Sequence, residues 1–88
     1  MINLDKFLKG EIAYIVTKHT IDDFLNTLER CTELVWCSGC KPTEFVPSEV
    51  LLSDVRISIE YVHMNEPVLV YSDTDKDCDF KKYKVEVF

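Results

Sequence analysis

Apolar side chains form a helical stripe in one segment of the chain, residues 20–31. The stripe recurs at the three- and four-residue spacing of an α-helix. Its members are Ile21, Phe24, Leu25 and Leu28. Thr20 stands where a side-chain oxygen can accept hydrogen bonds from the first helical amides, and Asp23 occupies the acidic position of a capping box. The pattern predicts an amphipathic helix over residues 20–31.

Shorter apolar runs predict strands on both sides of this helix. The predicted strands are residues 11–17, 34–37, 56–63, 68–71 and 83–87. The first run is apolar on both faces, as in a central strand, and the third alternates apolar and polar side chains. Turn residues Met64–Pro67 separate the third run from the fourth, which predicts an antiparallel hairpin. Before the first strand, residues 2–10 predict one helical turn that ends at Gly10.

The order of these elements predicts the fold class. One amphipathic helix has to bury its apolar stripe against one face of a sheet, which gives a two-layer α+β fold with a mainly antiparallel sheet of four to five strands. The 88 residues indicate a single small domain, residues 1–88. Because one helix and one sheet enclose little volume, we expect a homo-oligomer, in the first instance a dimer, with a strand edge or sheet face at the interface.

The charge balance excludes some partners. The chain has 16 acidic and 10 basic residues, a formal net charge of −6. Such a surface repels phosphate backbones, so we expect no direct nucleic-acid binding, whereas a basic protein surface would suit it. We expect no membrane association, since no apolar run approaches the roughly 20 residues that span a bilayer. The first nine residues lack a signal-peptide pattern, which predicts a cytoplasmic protein.

The segment Trp36–Lys41 is the strongest candidate for a recognition site. It contains the only tryptophan, one of two glycines and two of four cysteines. An indole can stack on a base, Ser38 and the Gly39 amide can donate hydrogen bonds to phosphate oxygens, and Lys41 adds positive charge. The candidate ligand-binding residues are Trp36, Ser38, Gly39, Lys41, Thr43 and Tyr71. The competing interpretation is that Trp36 anchors the core and Ser38-Gly39 is only a turn.

The same segment suggests a redox alternative. Trp36-Cys37-Ser38-Gly39-Cys40-Lys41 is similar to the thioredoxin motif Trp-Cys-Gly-Pro-Cys-Lys. Redox catalysis would need Cys37 as a thiolate at a helix start, with Cys40 resolving the mixed disulfide. Prolines at positions 42 and 47 argue against the long helix that thioredoxins place there.

Other sites for metal binding or catalysis have weaker signals. Cys37 and Cys40 have zinc-finger spacing, but the two remaining cysteines, Cys31 and Cys78, lie far apart in sequence. The acids of Asp73–Asp79 alternate as in a calcium loop, without its glycine or its closing glutamate. Neither of the two histidines, His19 and His63, pairs with a serine or cysteine nucleophile in a recognisable catalytic order. We therefore expect a non-enzymatic protein without metal or cofactor.

Three segments together resemble a family of small uncharacterised phage and prophage proteins. These segments are Phe7-Leu-Lys-Gly-Glu-Ile-Ala-Tyr-Ile-Val, Thr20-Ile-Asp-Asp-Phe-Leu and Val35-Trp-Cys-Ser-Gly-Cys-Lys-Pro-Thr. The family pattern has a Gly-Lys-Ile-Ala-Val strand, a Thr-Glu-Glu-Ala-Phe-Leu helix, a Trp-x-Ser-Gly element and a Tyr-x-Ile-x-Phe tail, which Tyr83–Phe88 resembles. The long connection 46–55 departs from it.

The resemblance implies an accessory protein that counters bacterial host defence in the cytoplasm of an infected cell. Its first form is a binding module that sequesters a nucleotide-derived signalling molecule, as a sponge. The alternative is an acidic protein–protein inhibitor of a host defence effector, similar to an anti-CRISPR protein, with the acids of Asp73–Asp79 as its contact surface. A thiol oxidoreductase that uses Cys37 and Cys40 is the second alternative.

Overall fold

The computed structural model describes residues 2–62, 66–73 and 84–88. Its α-helices are α1 (Leu4–Leu8) and α2 (Ile21–Cys31), and two short 3₁₀ turns cover Pro42–Glu44 and Ser48–Leu51. The strands are β1 (Ile12–Val16), β2 (Val55–Val62), β3 (Glu66–Asp73) and β4 (Lys84–Val87). These elements confirm the predicted α+β class, with one main helix and four strands in the described residues.

The sheet has the strand order β3-β2-β1-β4. β1 pairs antiparallel with β2, and β2 pairs antiparallel with β3. β4 pairs parallel with β1, from Ile12 opposite Lys84 to Ile15 opposite Val87. The sheet is therefore mostly antiparallel, as predicted, and one parallel pair makes it mixed. Alternation within residues 83–87 predicted a strand but contained no information about its neighbour or direction.

The core lies between α2 and one face of the sheet, and aromatic rings fill its centre. Phe24 of α2 packs against Phe7 of α1, Tyr14 of β1 and Phe88, with ring centroids 5.9, 5.7 and 5.0 Å away. Ile57 of β2 lies opposite Tyr14 and is fully buried. The helical stripe is buried along its full length, which explains why these residues form an amphipathic helix here.

The predicted cap of α2 is wrong in its detail. α2 begins at Ile21, but the Thr20 side chain makes no capping hydrogen bond to it. Thr20 already has helix-like backbone angles, and its Oγ1 instead accepts a hydrogen bond of 2.9 Å from the Thr17 amide. This bond closes the turn between β1 and α2, so the hydroxyl stabilises the turn rather than the helix. The capping box expected from Asp23 is absent for the same reason.

Two strand predictions also change. The expected strand 34–37 is reduced to one parallel bridge between Trp36 and Leu69, because the chain turns directly after Trp36. The predicted hairpin is confirmed and is longer than expected, since β3 extends over Glu66–Asp73 and pairs with β2 along eight positions. Of the predicted turn, Met64 and Asn65 lie outside the described residues, whereas Glu66 and Pro67 belong to β3 and pair with Val62 and Tyr61.

Within the described ranges, none of the helices combines the length and apolar character that crossing a membrane requires.

Candidate aromatic binding site

A tight turn after Trp36 positions the candidate site. The Gly39 amide donates to the Trp36 carbonyl at 2.7 Å, and the Trp36 amide donates to the Cys40 carbonyl at 2.8 Å. Gly39 has a φ of +96°, a backbone conformation that side chains with a Cβ rarely adopt. The Cys37 amide donates to the Leu69 carbonyl at 3.1 Å, which fixes the turn to the edge of β3. Hydrogen bonds within the turn and a hydrogen bond to β3 therefore both stabilise the turn.

The Trp36 ring is part of the core and not an open stacking platform. Its residue is only 2% exposed, and the indole Nε1 donates to the Pro42 carbonyl at 3.0 Å. Phe45 and Tyr71 meet the indole edge-to-face, with centroids 5.3 and 5.9 Å away. The near-complete burial of Trp36 argues against the expectation that a base stacks on its ring. The competing interpretation, a core anchor, describes the residue.

A cavity nevertheless lies beside the buried indole. Its volume is about 320 Å³, at the lower end for ligand pockets. It is lined by Trp36, Cys37, Ser38, Phe45, Val70 and Tyr71. Phe45 is 37% exposed, and its ring lies 6.0 Å from the half-buried Tyr71 ring. Both rings also contact the buried indole, so three mutually packed aromatic rings form walls of the aromatic cavity.

Glu49 gives the aromatic cavity a polar rim. The Tyr71 hydroxyl donates to Glu49 Oε2 at 3.1 Å. Burial raises the pKa of Tyr71 above its ordinary value of 10.0, and the hydrogen bond to Glu49 and its negative charge raise the pKa further. The phenol therefore stays protonated at neutral pH, and its hydroxyl is oriented by a carboxylate.

The structure separates the six predicted site residues into two groups. Trp36, Ser38 and Tyr71 line the aromatic cavity, whereas Gly39, Lys41 and Thr43 do not. The Gly39 amide that was expected to meet a phosphate is already bonded within the turn. The Lys41 amide donates to Glu44 Oε1 at 2.8 Å, which ties the residue before the 3₁₀ turn Pro42–Glu44 to the last residue of that turn.

Thr43 has a structural role instead. Its amide and its hydroxyl both donate to Glu29 Oε1, at 3.0 and 2.6 Å, which ties the 3₁₀ turn to α2. The side-chain hydrogen bond from Thr43 lowers the pKa of Glu29 below its ordinary value of 4.5, and the backbone hydrogen bond adds to this effect. The contact joins the segment that positions Phe45 to the main helix.

The Glu29–Thr43 contact predicts a pH-dependent contribution to stability. Because the folded state holds the Glu29 carboxyl with a lowered pKa, its stabilisation is present above pH 4.5 and is lost as pH falls through the lowered pKa. Glu29→Gln should lower the urea midpoint at pH 7, and the difference from wild type should shrink below pH 4.5. Urea titrations monitored by circular dichroism measure both.

Glu33→Gln is the matched control, since Glu33 is also an exposed acid next to α2. It should leave the urea midpoint close to that of wild type at both pH values. If the urea midpoint of Glu29→Gln stayed below that of wild type by a constant amount down to pH 3, the ionised Glu29 carboxylate would not be the source of the lost stability.

The cysteines do not reproduce the thioredoxin geometry. Cys37 is exposed in the turn after Trp36, and the next helical segment is the three-residue 3₁₀ turn that begins at Pro42. Cys37 therefore lacks the helix start that would stabilise a thiolate. Cys31, Cys37 and Cys40 are free thiols.

The residues of the possible metal sites lie partly within the described ranges. No cluster of three His, Cys, Asp or Glu side chains suited to a metal ion occurs where the structure is described. Cys78, His63 and most of the acidic loop, residues 74–79, lie outside the described residues. His19 is exposed in the turn before α2.

Sequence reasoning missed Phe45 and Glu49. Phe45 directly precedes the connection 46–55, and Glu49 lies within it. The prolines predicted that this stretch is irregular. A phenylalanine in a predicted loop between two prolines was a usable signal, because apolar side chains in loops often mark recognition surfaces. Glu49 gave no signal, since only the fold brings its carboxylate to Tyr71.

A larger groove of about 600 Å³ lies between the end of α2 and the start of β3. It is lined by Leu8, Cys31, Thr32, Glu33, Leu34, Val35, Glu66, Pro67 and Val68. These side chains include no aromatic ring and no cation. The smaller aromatic cavity is the better candidate because aromatic rings line it and the Tyr71 hydroxyl adds an oriented polar group.

Neither a protein-family model nor a curated protein nor a solved structure matches this chain.

Proposed function

We propose that this protein is a non-enzymatic binding module whose aromatic cavity receives an apolar side chain of a protein partner. The observation that supports this proposal is the pairing of Phe45 and Tyr71 over the buried Trp36 ring, beside a cavity of about 320 Å³. Partner residues that dominate binding energy tend to enter such preformed, desolvated aromatic pockets.

The surroundings of the aromatic cavity also suit a protein partner. Val46 continues the apolar surface beside Phe45, and both side chains are exposed. Glu44 and Glu49 place carboxylates on either side of them along the chain, and the protein as a whole carries a net charge of −6. An apolar centre with an acidic rim fits a partner surface that has an apolar anchor surrounded by basic residues.

The nucleotide-derived ligand is the weaker of the two binding proposals. The described residues that line the aromatic cavity include no lysine or arginine to bind a phosphate. The indole is buried and the Gly39 amide is already hydrogen-bonded, so two of the four contacts expected from the sequence are not open. A bound phosphate would depend on Lys41, which lies outside the cavity lining.

The biological role that we propose follows from the resemblance to small phage proteins. In that role the protein binds a host defence effector in the cytoplasm of an infected bacterium and blocks it. The effector would present a basic surface, since an acidic inhibitor of this size can cover a site that normally receives nucleic acid.

Affinity capture with matched variants tests the proposed function. Tagged wild type, Phe45→Ala and Leu52→Ala are each incubated with bacterial host lysate, and bound proteins are quantified by mass spectrometry. Leu52 is the control because it is an apolar side chain, 90% exposed, that does not line the cavity. We expect one partner to be retained by wild type and Leu52→Ala and reduced about tenfold for Phe45→Ala, the effect of losing one anchor contact.

Equal capture of the partner by Phe45→Ala and wild type would overturn the proposal that the partner binds at the aromatic cavity. Calorimetric titration with cyclic dinucleotides and ADP-ribose derivatives tests the other ligand class. Saturable heat that is lost in Lys41→Ala would replace the protein partner with a nucleotide. Heat at the level of buffer injections would remove the nucleotide proposal.

A further inference from the structure

The outer edge of β4 is an unpaired strand edge within the described residues. β4 is the terminal strand of the order β3-β2-β1-β4. The opposite edge, β3, is covered at its centre, since the Leu69 amide donates to the Val35 carbonyl at 2.8 Å and the Leu69 carbonyl accepts from Cys37. No such segment pairs with residues 84–87 among those that the structure describes. An open edge offers unpaired backbone groups to another strand.

The hydrogen bonds to β1 determine which backbone groups of β4 point outward. The Lys84 amide donates to Glu11 and the Phe88 amide donates to Ile15. Because backbone groups alternate between the two sides of a strand, Glu86 also faces β1, and Val85 and Val87 direct their amides and carbonyls outward.

The charges of β4 are complementary to those of a second copy when the two strands pair in the register centred on Val85. A two-fold axis at Val85 pairs Val85 with Val85 of the second copy through two backbone hydrogen bonds, and places Lys84 opposite Glu86 of the second copy. A register centred on Glu86 places two glutamates directly opposite each other, and one centred on Val87 leaves Lys84 beyond the paired segment. Like charges at opposed positions destabilise a strand pair and opposite charges stabilise it, so the first register is favoured.

The side chains on the two faces of β4 agree with this register. Lys84 and Glu86 share one face and form an ion pair of 3.6 Å within the chain. In the dimer, Lys84 and Glu86 of both copies would form a group of four charges in which each neighbouring charge has the opposite sign. Val85 and Val87 share the other face, and Val87 is 74% exposed, which is unusual for a valine in a strand. Val87 would pack diagonally against Val85 of the second copy.

We propose that two copies of this chain associate through antiparallel pairing of their β4 edges, centred on Val85, to form one continuous sheet that joins the four described strands of each copy. The proposal does not depend on the aromatic cavity or on its partner. It specifies the homo-oligomer expected from the sequence by its interface, its register and its charge pairs.

Charge reversal in two separate variants tests the register. In Lys84→Glu each copy places an introduced glutamate opposite Glu86, and in Glu86→Lys each copy places an introduced lysine opposite Lys84. Each variant alone should dimerise about tenfold more weakly than wild type in sedimentation equilibrium, since both cross-strand pairs become repulsive. An equimolar mixture of the two variants should recover dimerisation, because every cross-strand pair again joins opposite charges.

Recovery in the mixture distinguishes an interface from a folding defect, since mixing cannot repair a misfolded chain. Arg30→Glu is the control for net charge, because Arg30 is an exposed cation in the last turn of α2 and is not part of β4. It should dimerise like wild type. Wild type that sediments only at 10.3 kDa up to millimolar concentration would overturn the proposal. So would a Lys84→Glu variant that dimerises unchanged, which the register centred on Glu86 would give.

Discussion

Replacement of Trp36 by alanine is expected to destabilise the fold by about 3–5 kcal/mol, the cost of removing a large buried aromatic side chain. The indole is 2% exposed, contacts Phe45 and Tyr71, and donates to the Pro42 carbonyl. Since small domains have total stabilities of about 5–15 kcal/mol, this is a large share of the total. Urea denaturation measures this loss of stability. Far-ultraviolet circular dichroism is the readout, because the substitution removes the only tryptophan.

Trp36→Phe separates packing from hydrogen bonding. Phenylalanine retains much of the apolar volume but leaves the Pro42 carbonyl without its donor, which costs about 1–3 kcal/mol. Leu52→Ala should change stability by less than about 0.5 kcal/mol, as expected for an exposed side chain. A Trp36→Ala protein as stable as wild type that fails to capture its partner would show a recognition residue instead of a core anchor.

Replacement of Phe24 by alanine should destabilise the fold by a similar amount, about 3–5 kcal/mol. Phe24 is fully buried and contacts three other rings, those of Phe7, Tyr14 and Phe88. Its removal would leave a cavity at the centre of the contact between α2 and the sheet. The same urea titrations measure this effect.

A double-mutant cycle with Phe88 sharpens this second prediction. The Phe24 and Phe88 centroids are 5.0 Å apart with their rings nearly perpendicular, a favourable edge-to-face arrangement. The two alanine substitutions should therefore be coupled by about 0.5–1.5 kcal/mol. Additive effects would indicate that Phe88 does not dock against Phe24 in solution. The aromatic cavity should stay intact in the folded fraction, because its three rings do not contact Phe24.

The local elements of the fold could be predicted because their signals are local. The apolar stripe from Ile21 to Leu28 requires only the helical repeat, and alternation in residues 56–63 requires only the two-residue period of a strand. Thr20 was a plausible helix cap on the same reasoning, yet its hydroxyl bonds to Thr17, a competing partner three residues away. Short polar side chains have several such local choices, and the sequence does not rank them.

The candidate site was predicted in part. The sequence singled out Trp36, Ser38 and Tyr71, which the fold brings to one cavity. It left the role of the indole open between recognition and core packing, because a lone tryptophan next to a turn gives the same signal in the core as on a surface. Phe45 became a wall of the cavity only through the ties that hold its segment, the bond from Trp36 to Pro42 and the bonds from Thr43 to Glu29.

Periodicity and charge, which are properties of neighbouring residues, determined the helix, the strands, the α+β class and the acidic character of this protein. Tertiary structure alone decided that β4 lies parallel to β1 at an open edge, that the indole is buried, and that Glu49 meets Tyr71. These three outcomes depend on contacts between residues distant in sequence. Their energies come from packing and pairing across the fold, for which one sequence carries no local pattern.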